Sequence, residues 1–349
     1  MPGRDRGRAC LLAARNASSN PGHPTRAVAC TDQQSRGPFI VQPLIDLFRE
    51  SPTFWIACST FLGLCVGSFL NVVAYRLPIM MERRWRNDCG DYLADLSVPD
   101  TLVSARDELA PILSGVQGSE PAFDLVKPRS ACPACGHAIK ARENIPVLSW
   151  LLLGGRCSAC RTRIPVRYPL VELTGAALAA LAAWHFGFGA QAAWSMLLLW
   201  ALLALSLIDL DRQLLPDDIV LPTLWLGLGV NLFGVFVPLQ DAVIGAIAGY
   251  GVLRAVFELF KLATGKEGMG FGDFKLLAML GAWMGWQQLP TIIIISSVVG
   301  AVIGITLILV RGQDKNVPIP FGPFIAMGGI ICLFWGDTLI HTYLGKSAW

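Results

Sequence analysis

Eight stretches of this chain are mostly apolar and approach the ~20 residues needed to cross a bilayer as a helix. They lie near 53–75, 168–188, 192–210, 218–237, 240–262, 276–289, 291–311 and 320–343. The sixth is short, and the Trp286–Pro290 stretch makes its turn into the seventh. Two polar regions interrupt the pattern. Residues 1–50 are rich in arginine, Gly, Pro, Ser and Asn with little periodicity, and the loop from about 76 to 167 is long enough for a small folded module. The pattern predicts an all-α polytopic membrane protein with about eight transmembrane helices. Its expected units are a tail at 1–40, a first membrane helix within 41–75, a polar module at 76–167 and a seven-helix membrane domain at 168–349.

Orientation follows from Lys and Arg near the helix ends, because positively charged loops stay in the cytoplasm. Arg76, Arg83, Arg84, Arg86, Lys127, Arg129, Lys140, Arg142, Arg156, Arg161, Arg163 and Arg167 fall in the long loop. Lys261, Lys266 and Lys275 follow span five, and Arg311 and Lys315 follow span seven. The opposite loops, Gly187–Gln191, Pro238–Asp241 and Trp286–Pro290, carry none. Segments 76–167, 209–217, 261–275 and 311–319 are therefore expected in the cytoplasm and both termini outside. The arginine-rich residues 1–40 then lie on the wrong side and contain no signal-peptide core. They are expected to be a disordered tail or a mis-assigned start, the natural start lying close to Val41.

Composition agrees with lipid as solvent. The 349 residues are 54% hydrophobic and 15% charged, against roughly 25% charged in soluble domains, and mean hydropathy is +0.53. A net charge of +3 without a basic stripe implies no nucleic-acid partner. Of the ten cysteines, Cys58, Cys65 and Cys332 sit in apolar runs and read as small hydrophobes.

Cys132-Pro-Ala-Cys135 and Cys157-Ser-Ala-Cys160 are separated by the 21 residues 136–156, close to the spacing of a four-cysteine zinc site. Such a site would staple a cytoplasmic, zinc-ribbon-like loop module that lacks a large core. A redox dithiol is the rival, but no thioredoxin-like βαβ pattern surrounds either pair. His137 could replace a ligand, although four thiolates already complete a tetrahedral set.

Span three ends in IDLDRQLLPDD, with Asp209 where the apolar run stops. The fifth connection ends in GMGFGDFK, with Asp273 just before the sixth span. Both face the cytoplasm by the topology above. A carboxylate at a membrane boundary is costly unless paired, solvated or functional. Two carboxylates brought together share one proton; the ionised partner then takes a proton from water while the other supports a carbonyl oxygen. Asp211 would point away from Asp209 on a continuing helix, and Asp217 and Asp218 read as the start of span four. Gly268, Gly270 and Gly272 permit positive φ or close approach of another chain. Their spacing and their place after a membrane span argue against a dinucleotide loop.

Three smaller features complete the reading. PIPFGPF, with Pro318, Pro320 and Pro323, starts the last span and permits close packing. The small-residue patterns Gly245–Gly249 and Gly300–Gly304 mark helix contacts. Glu172, early in span two, either pairs with a loop cation or helps bind a substrate amine.

Taken together, GLCVGSFLNVVAYRLP, the two C-x-x-C pairs, ENIP, GGRCSAC, RYPLVE, IDLDRQLLPD, GMGFGDFK and PIPFGPF resemble the type IV prepilin peptidase family of aspartic G-x-G-D peptidases. The resemblance runs from about Gln42 to the C-terminus. It implies that Asp209 and Asp273 are the catalytic pair and that the chain sits in the bacterial inner membrane with its active site facing the cytoplasm. It implies as substrates type IV prepilins and type II secretion pseudopilins, cleaved after a glycine just before a hydrophobic helix. It also implies S-adenosylmethionine-dependent N-methylation of the new N-terminal residue, usually phenylalanine. A transporter would place charges near mid-bilayer and show inverted repeats, and a zinc-stapled scaffold would leave Asp273 among its glycines without a role.

Overall fold

The computed structural model describes residues 41–97, 103–105, 107, 109, 123–266, 269–311 and 320–344. The expectations for residues 1–40 and 312–319 lie outside them. Two units are distinguished, Met1–Asp46 and Leu47–Trp349, and only the opening turns of one helix are described in the first.

The described helices are α1 Val41–Glu50, α2 Pro52–Asp95, α3 Leu148–Leu152, α4 Arg167–Phe186, α5 Ala190–Arg212, α6 Asp217–Asn231, α7 Leu239–Thr264, α8 Phe271–Met284, α9 Leu289–Arg311 and α10 Gly322–Leu344. Short 3₁₀ turns cover Ala141–Asn144 and Trp286–Gln288. No strand occurs among the described residues beyond two isolated bridges, Ala131 to Ala138 and Arg156 to Arg163. The all-α polytopic expectation holds, with a helix on each of the eight apolar stretches. Six are long and apolar enough to cross a bilayer. The other two, α6 with 15 residues and α8 with 14, would each span little more than ~20 Å.

α8 can be short because protein, not lipid, surrounds it. Every residue from Leu276 to Met284 is buried, and Phe274, Leu277, Leu280 and Trp283 lie in the central core with Leu198, Leu202 and Ile325. Its C-terminal carbonyls are satisfied within the protein, as a buried helix end requires. Asn231 Nδ2 donates to the carbonyls of Ala282 (2.9 Å) and Trp283 (3.1 Å), while its Oδ1 accepts from Phe236 N–H. The Trp283 indole N–H donates to Thr223 O at 2.8 Å. The outward faces carry exposed Phe61, Phe69, Ile247, Leu262, Ile294 and Leu309, a distribution suited to hydrocarbon rather than water.

α2 passes the expected end of the first span and continues to Asp95. Polarity marks the bilayer edge, not the helix end. The added turns are rich in helix-forming residues, carry a Glu82–Arg86 pair, and seat Leu77 and Met81 in a core with Val171 and Ile208. Ser51 caps the start, its hydroxyl accepting from Phe54 N–H at 3.4 Å, with Pro52 at the first helical position.

Close packing is concentrated at glycines. α2 meets α4 where a Cβ on Gly63 would lie 2.6 Å from Gly175 O. α7 meets α8 where a Cβ on Gly281 would lie 2.2 Å from Gly245 O, and one on Gly249 would lie 2.7 Å from Leu277 O. The Gly245–Gly249 pattern is thus a helix contact, and Gly300 packs on the Phe324 ring. Gly281→Ala is expected to destabilise the protein by about 3 kcal/mol or more, because both neighbours are backbone and neither side can yield as a flexible side chain would. A lowered thermal midpoint in detergent measures it.

Candidate active site

The C-terminal end of α5 and the N-terminal ends of α6, α8 and α10 come together around two carboxylates. Asp209 lies in the last turn of α5, which stops when Gln213 adopts a left-handed conformation (φ 53°) and donates its N–H to Asp209 O at 2.9 Å. Asp273 is in the first turn of α8, where the helix dipole favours an acid. Both are buried, 5% and 7% exposed, and they lie close enough for their charges to act on one another.

Backbone packing holds this arrangement. The Gly322 N–H, at the start of α10, donates to Asp209 Oδ2 at 3.0 Å. A Cβ on Gly322 would lie 2.6 Å from that oxygen and 3.1 Å from Leu215 Cδ2. On the other side, a Cβ on Gly272 would lie 2.8 Å from Leu215 Cβ. Leu215 is therefore wedged between the glycine beside Asp273 and the glycine that binds Asp209. The need at Gly272 is space, not positive φ, and Gly270 is extended (φ −79°, ψ 148°). Gly268 lies outside the described residues. Gly322→Ala is expected to lower turnover about 100-fold with helix content retained, since a carboxylate displaced by ~1 Å costs about that much. Kinetics and circular dichroism on the same preparation check it.

The neighbouring acids are engaged elsewhere. Asp211 takes a two-bond pair from Arg167 at 2.7 and 2.6 Å. Asp217 accepts from Lys275 Nζ at 2.7 Å, and Asp218 from Arg84 at 3.3 Å. These pairs link α4 to α5, and α6 to both α2 and α8. Glu172 Oε2 accepts Val147 N–H at 2.7 Å. Val147, the residue after ENIP, has φ 58°, a strained conformation for a β-branched residue. Gly322 and Leu215 were not marked as site residues by sequence reading. Their signal was the glycine after Phe321 at the mouth of the last apolar run, read there as packing.

The polar module is two like-folded knuckles. Gly136 N–H donates to Cys132 O and Cys132 N–H to His137 O, both at 2.9 Å. Arg161 N–H donates to Cys157 O at 3.1 Å and Cys157 N–H to Thr162 O at 2.9 Å. Gly136 (φ 70°) and Arg161 (φ 60°) take matching left-handed positions after the second cysteine of each pair. The four sulfurs lie within 4.8 Å of one another, and Cys132 Sγ is 3.7 Å from Cys160 Sγ. A tetrahedron with ~2.3 Å metal–sulfur bonds has edges of about 3.8 Å, so Cys132, Cys135, Cys157 and Cys160 could hold a metal ion. His137 is turned to Glu143 (3.3 Å). Lys140 N–H, then the Ser158 hydroxyl and His137, keep Glu143 ionised with a pKa of about 2. The module rests on α2 through buried Arg76, which donates to Asp124 O (2.9 Å) and Pro128 O (2.7 Å). It is joined to α4 through Val147 and Glu172.

Residues 61–186 match the bacterial peptidase A24 N-terminal domain and residues 196–305 the type IV leader peptidase family. Proteins named prepilin leader peptidase/N-methyltransferase are similar over most of the chain. That of Pseudomonas aeruginosa is 52% identical over 302 residues, covering 86% of this chain and 98% of the relative. Those of Stutzerimonas stutzeri (51%; 86% and 97%) and Aeromonas salmonicida (50%; 86% and 98%) are alike. No solved structure matches. With both domains in order and half the residues identical to these relatives over nearly their full length, this multi-pass membrane chain belongs to the type IV leader peptidase family.

Proposed function

We propose that this protein removes the leader peptide of prepilins and then methylates the new N-terminal amine, with Asp209 and Asp273 as the catalytic pair. The observation that carries the peptidase reading is the meeting of two buried carboxylates, each on a separate helix, at one end of the bundle. No serine or cysteine nucleophile is required. The carboxylate that is ionised accepts a proton from water, the protonated one donates to the scissile carbonyl oxygen, and the resulting hydroxide adds to the carbonyl carbon. When the tetrahedral intermediate collapses, the C–N bond breaks and the leaving amine takes a proton from the carboxyl that had received it. Gly322 N–H holds Asp209 in place.

The charge pattern of the loops supports an inner-membrane protein with this end in the cytoplasm. A prepilin lying in the bilayer through its apolar helix would then present the scissile bond level with the two acids, and binding in the membrane plane supplies proximity. Type II secretion pseudopilins fit the same geometry. The methyl donor would be S-adenosylmethionine, as the name shared by the relatives implies. Zinc is the metal that four thiolates at this spacing suit. When bound it would fix the two knuckles as one rigid body.

The test is incubation of the purified protein with a prepilin and S-adenosylmethionine, followed by mass spectrometry of the product. Loss of the leader plus one methyl group is expected. An intact prepilin after prolonged incubation with folded protein would overturn the peptidase reading, and an unmethylated product the second activity.

A further inference from the structure

The polar module carries an apolar edge that its own fold does not cover. In α3, Leu148, Leu151 and Leu152 are 49%, 61% and 77% exposed. We propose that these three leucines dip into the cytoplasmic leaflet, so that the bilayer itself holds the module down. The inference takes from the reading above only the side of the membrane on which the module lies, and it needs neither catalytic activity.

Depth argues first. Val147 N–H donates to Glu172 Oε2, and Glu172 lies five residues, about 7.5 Å of helix, inside the start of the spanning helix α4. Side chains on a helix lean toward its N-terminus, which brings this bond level with the first turn of α4. Tyr168, one turn nearer the cytoplasm on the same face, is exposed, as an interfacial aromatic is. At Val147 (φ 58°, ψ −48°) the chain reverses. Leu148 N–H there donates to Pro146 O at 2.5 Å, the bond of a γ-turn. α3 therefore begins beside the turn by which α4 enters the bilayer.

Hydrogen bonding argues second. Main chain that meets hydrocarbon must satisfy its N–H groups internally. This segment does so: Val147 N–H goes to Glu172, and those of Leu148, Ser149, Leu151, Leu153, Gly154 and Gly155 go to carbonyls between Ile145 and Leu151. The Trp150 indole N–H donates to Ile164 O at 3.2 Å, and its ring packs beneath Gly155. The aromatic fills the interior of the module and the leucines are left facing out. Charge argues third. Residues 123–166 hold seven Lys and Arg against two acids. Both acids are already bound, Asp124 by Val126 and Lys127 N–H and Glu143 by Lys140 N–H. Arg142 and Arg156, on either side of α3, are exposed. The cytoplasmic leaflet is anionic and attracts such a surface, and apolar insertion with a basic rim is how segments lie in an interface.

The experiment reconstitutes the purified full chain in vesicles of phosphatidylethanolamine and phosphatidylglycerol whose acyl chains carry a diazirine near the carbonyl. Illumination followed by mass spectrometry maps the adducts. They are expected on Leu148, Leu151 and Leu152 as well as on the exposed Leu170 and Leu173 of α4. The combined Leu148→Ser, Leu151→Ser and Leu152→Ser variant is expected to lose the adducts on α3 and keep those on α4. If that variant does not fold, the native chain decides the matter. Adducts on α4 with none on α3 would overturn the proposal and leave the leucines to a protein partner. Adducts on α3 undiminished in the folded Ser variant would overturn it too, since the leucines would not be what reaches the lipid.

Discussion

Asn in place of either Asp209 or Asp273 is expected to lower kcat/KM for leader removal at least ~1000-fold while the protein still folds. Removing one member of an acid–base unit costs about 10²-fold or more, and members that act together fail together. The double variant should therefore be scarcely worse than either single one. The fold should tolerate the change. Asn keeps an oxygen able to accept from Gly322 N–H, and neither acid has an ion-pair partner among those found in the described residues. Replacing a buried carboxylate by an amide also removes a desolvation cost. Mass-spectrometric cleavage rates and thermal midpoints on the same samples would check both halves. A double variant with native turnover would exclude the pair from catalysis.

The second large effect concerns the knuckles. Changing Cys132 and Cys157 together to Ser is expected to abolish stoichiometric metal and to unfold residues 123–166 while the membrane helices persist. Structural four-ligand zinc sites contribute on the order of 10 kcal/mol to folding. The segment has little apolar core of its own: Leu148, Leu151 and Leu152 are exposed. Elemental analysis should show about one metal per chain falling to none, and limited proteolysis should cut within the segment only in the variant. A segment as resistant to protease without metal as with it would refute the staple. The helices should survive because α2 meets α4 through Gly63, Gly67 and Gly175, away from the cysteines.

How much of this was legible beforehand differs by residue. The helices α4 to α10 follow from apolar runs, and for α4, α5, α7, α9 and α10 lipid imposes the length and the composition. The far end of α2 did not follow, since nothing in hydropathy distinguishes a polar helix from a polar loop. The choice of Asp209 over Asp211 rested on helical periodicity and on Asp209 lying nearer the membrane; the pairing of Asp211 with Arg167 could not be read from spacing. The two cysteine pairs declare themselves through spacing. Gly322 and Leu215 did not, because what they do depends on α10 returning to the end of α5, a relation 113 residues apart. The contact Glu172 makes was not legible for the same reason. Its bond is to a main-chain N–H 25 residues away, and backbone donors leave no trace in side-chain chemistry.

Because α7 and α8 touch main chain to main chain at Gly245 and Gly281, they can neither slide nor roll past each other without breaking the fold. Asp273 therefore travels only with both helices as one body. Any drawing together of the two acids around a bound prepilin must come from that pair swinging against α5 and α10, with Leu215 as the soft bearing between them. The distance between the two acids is then set by the placement of entire helices.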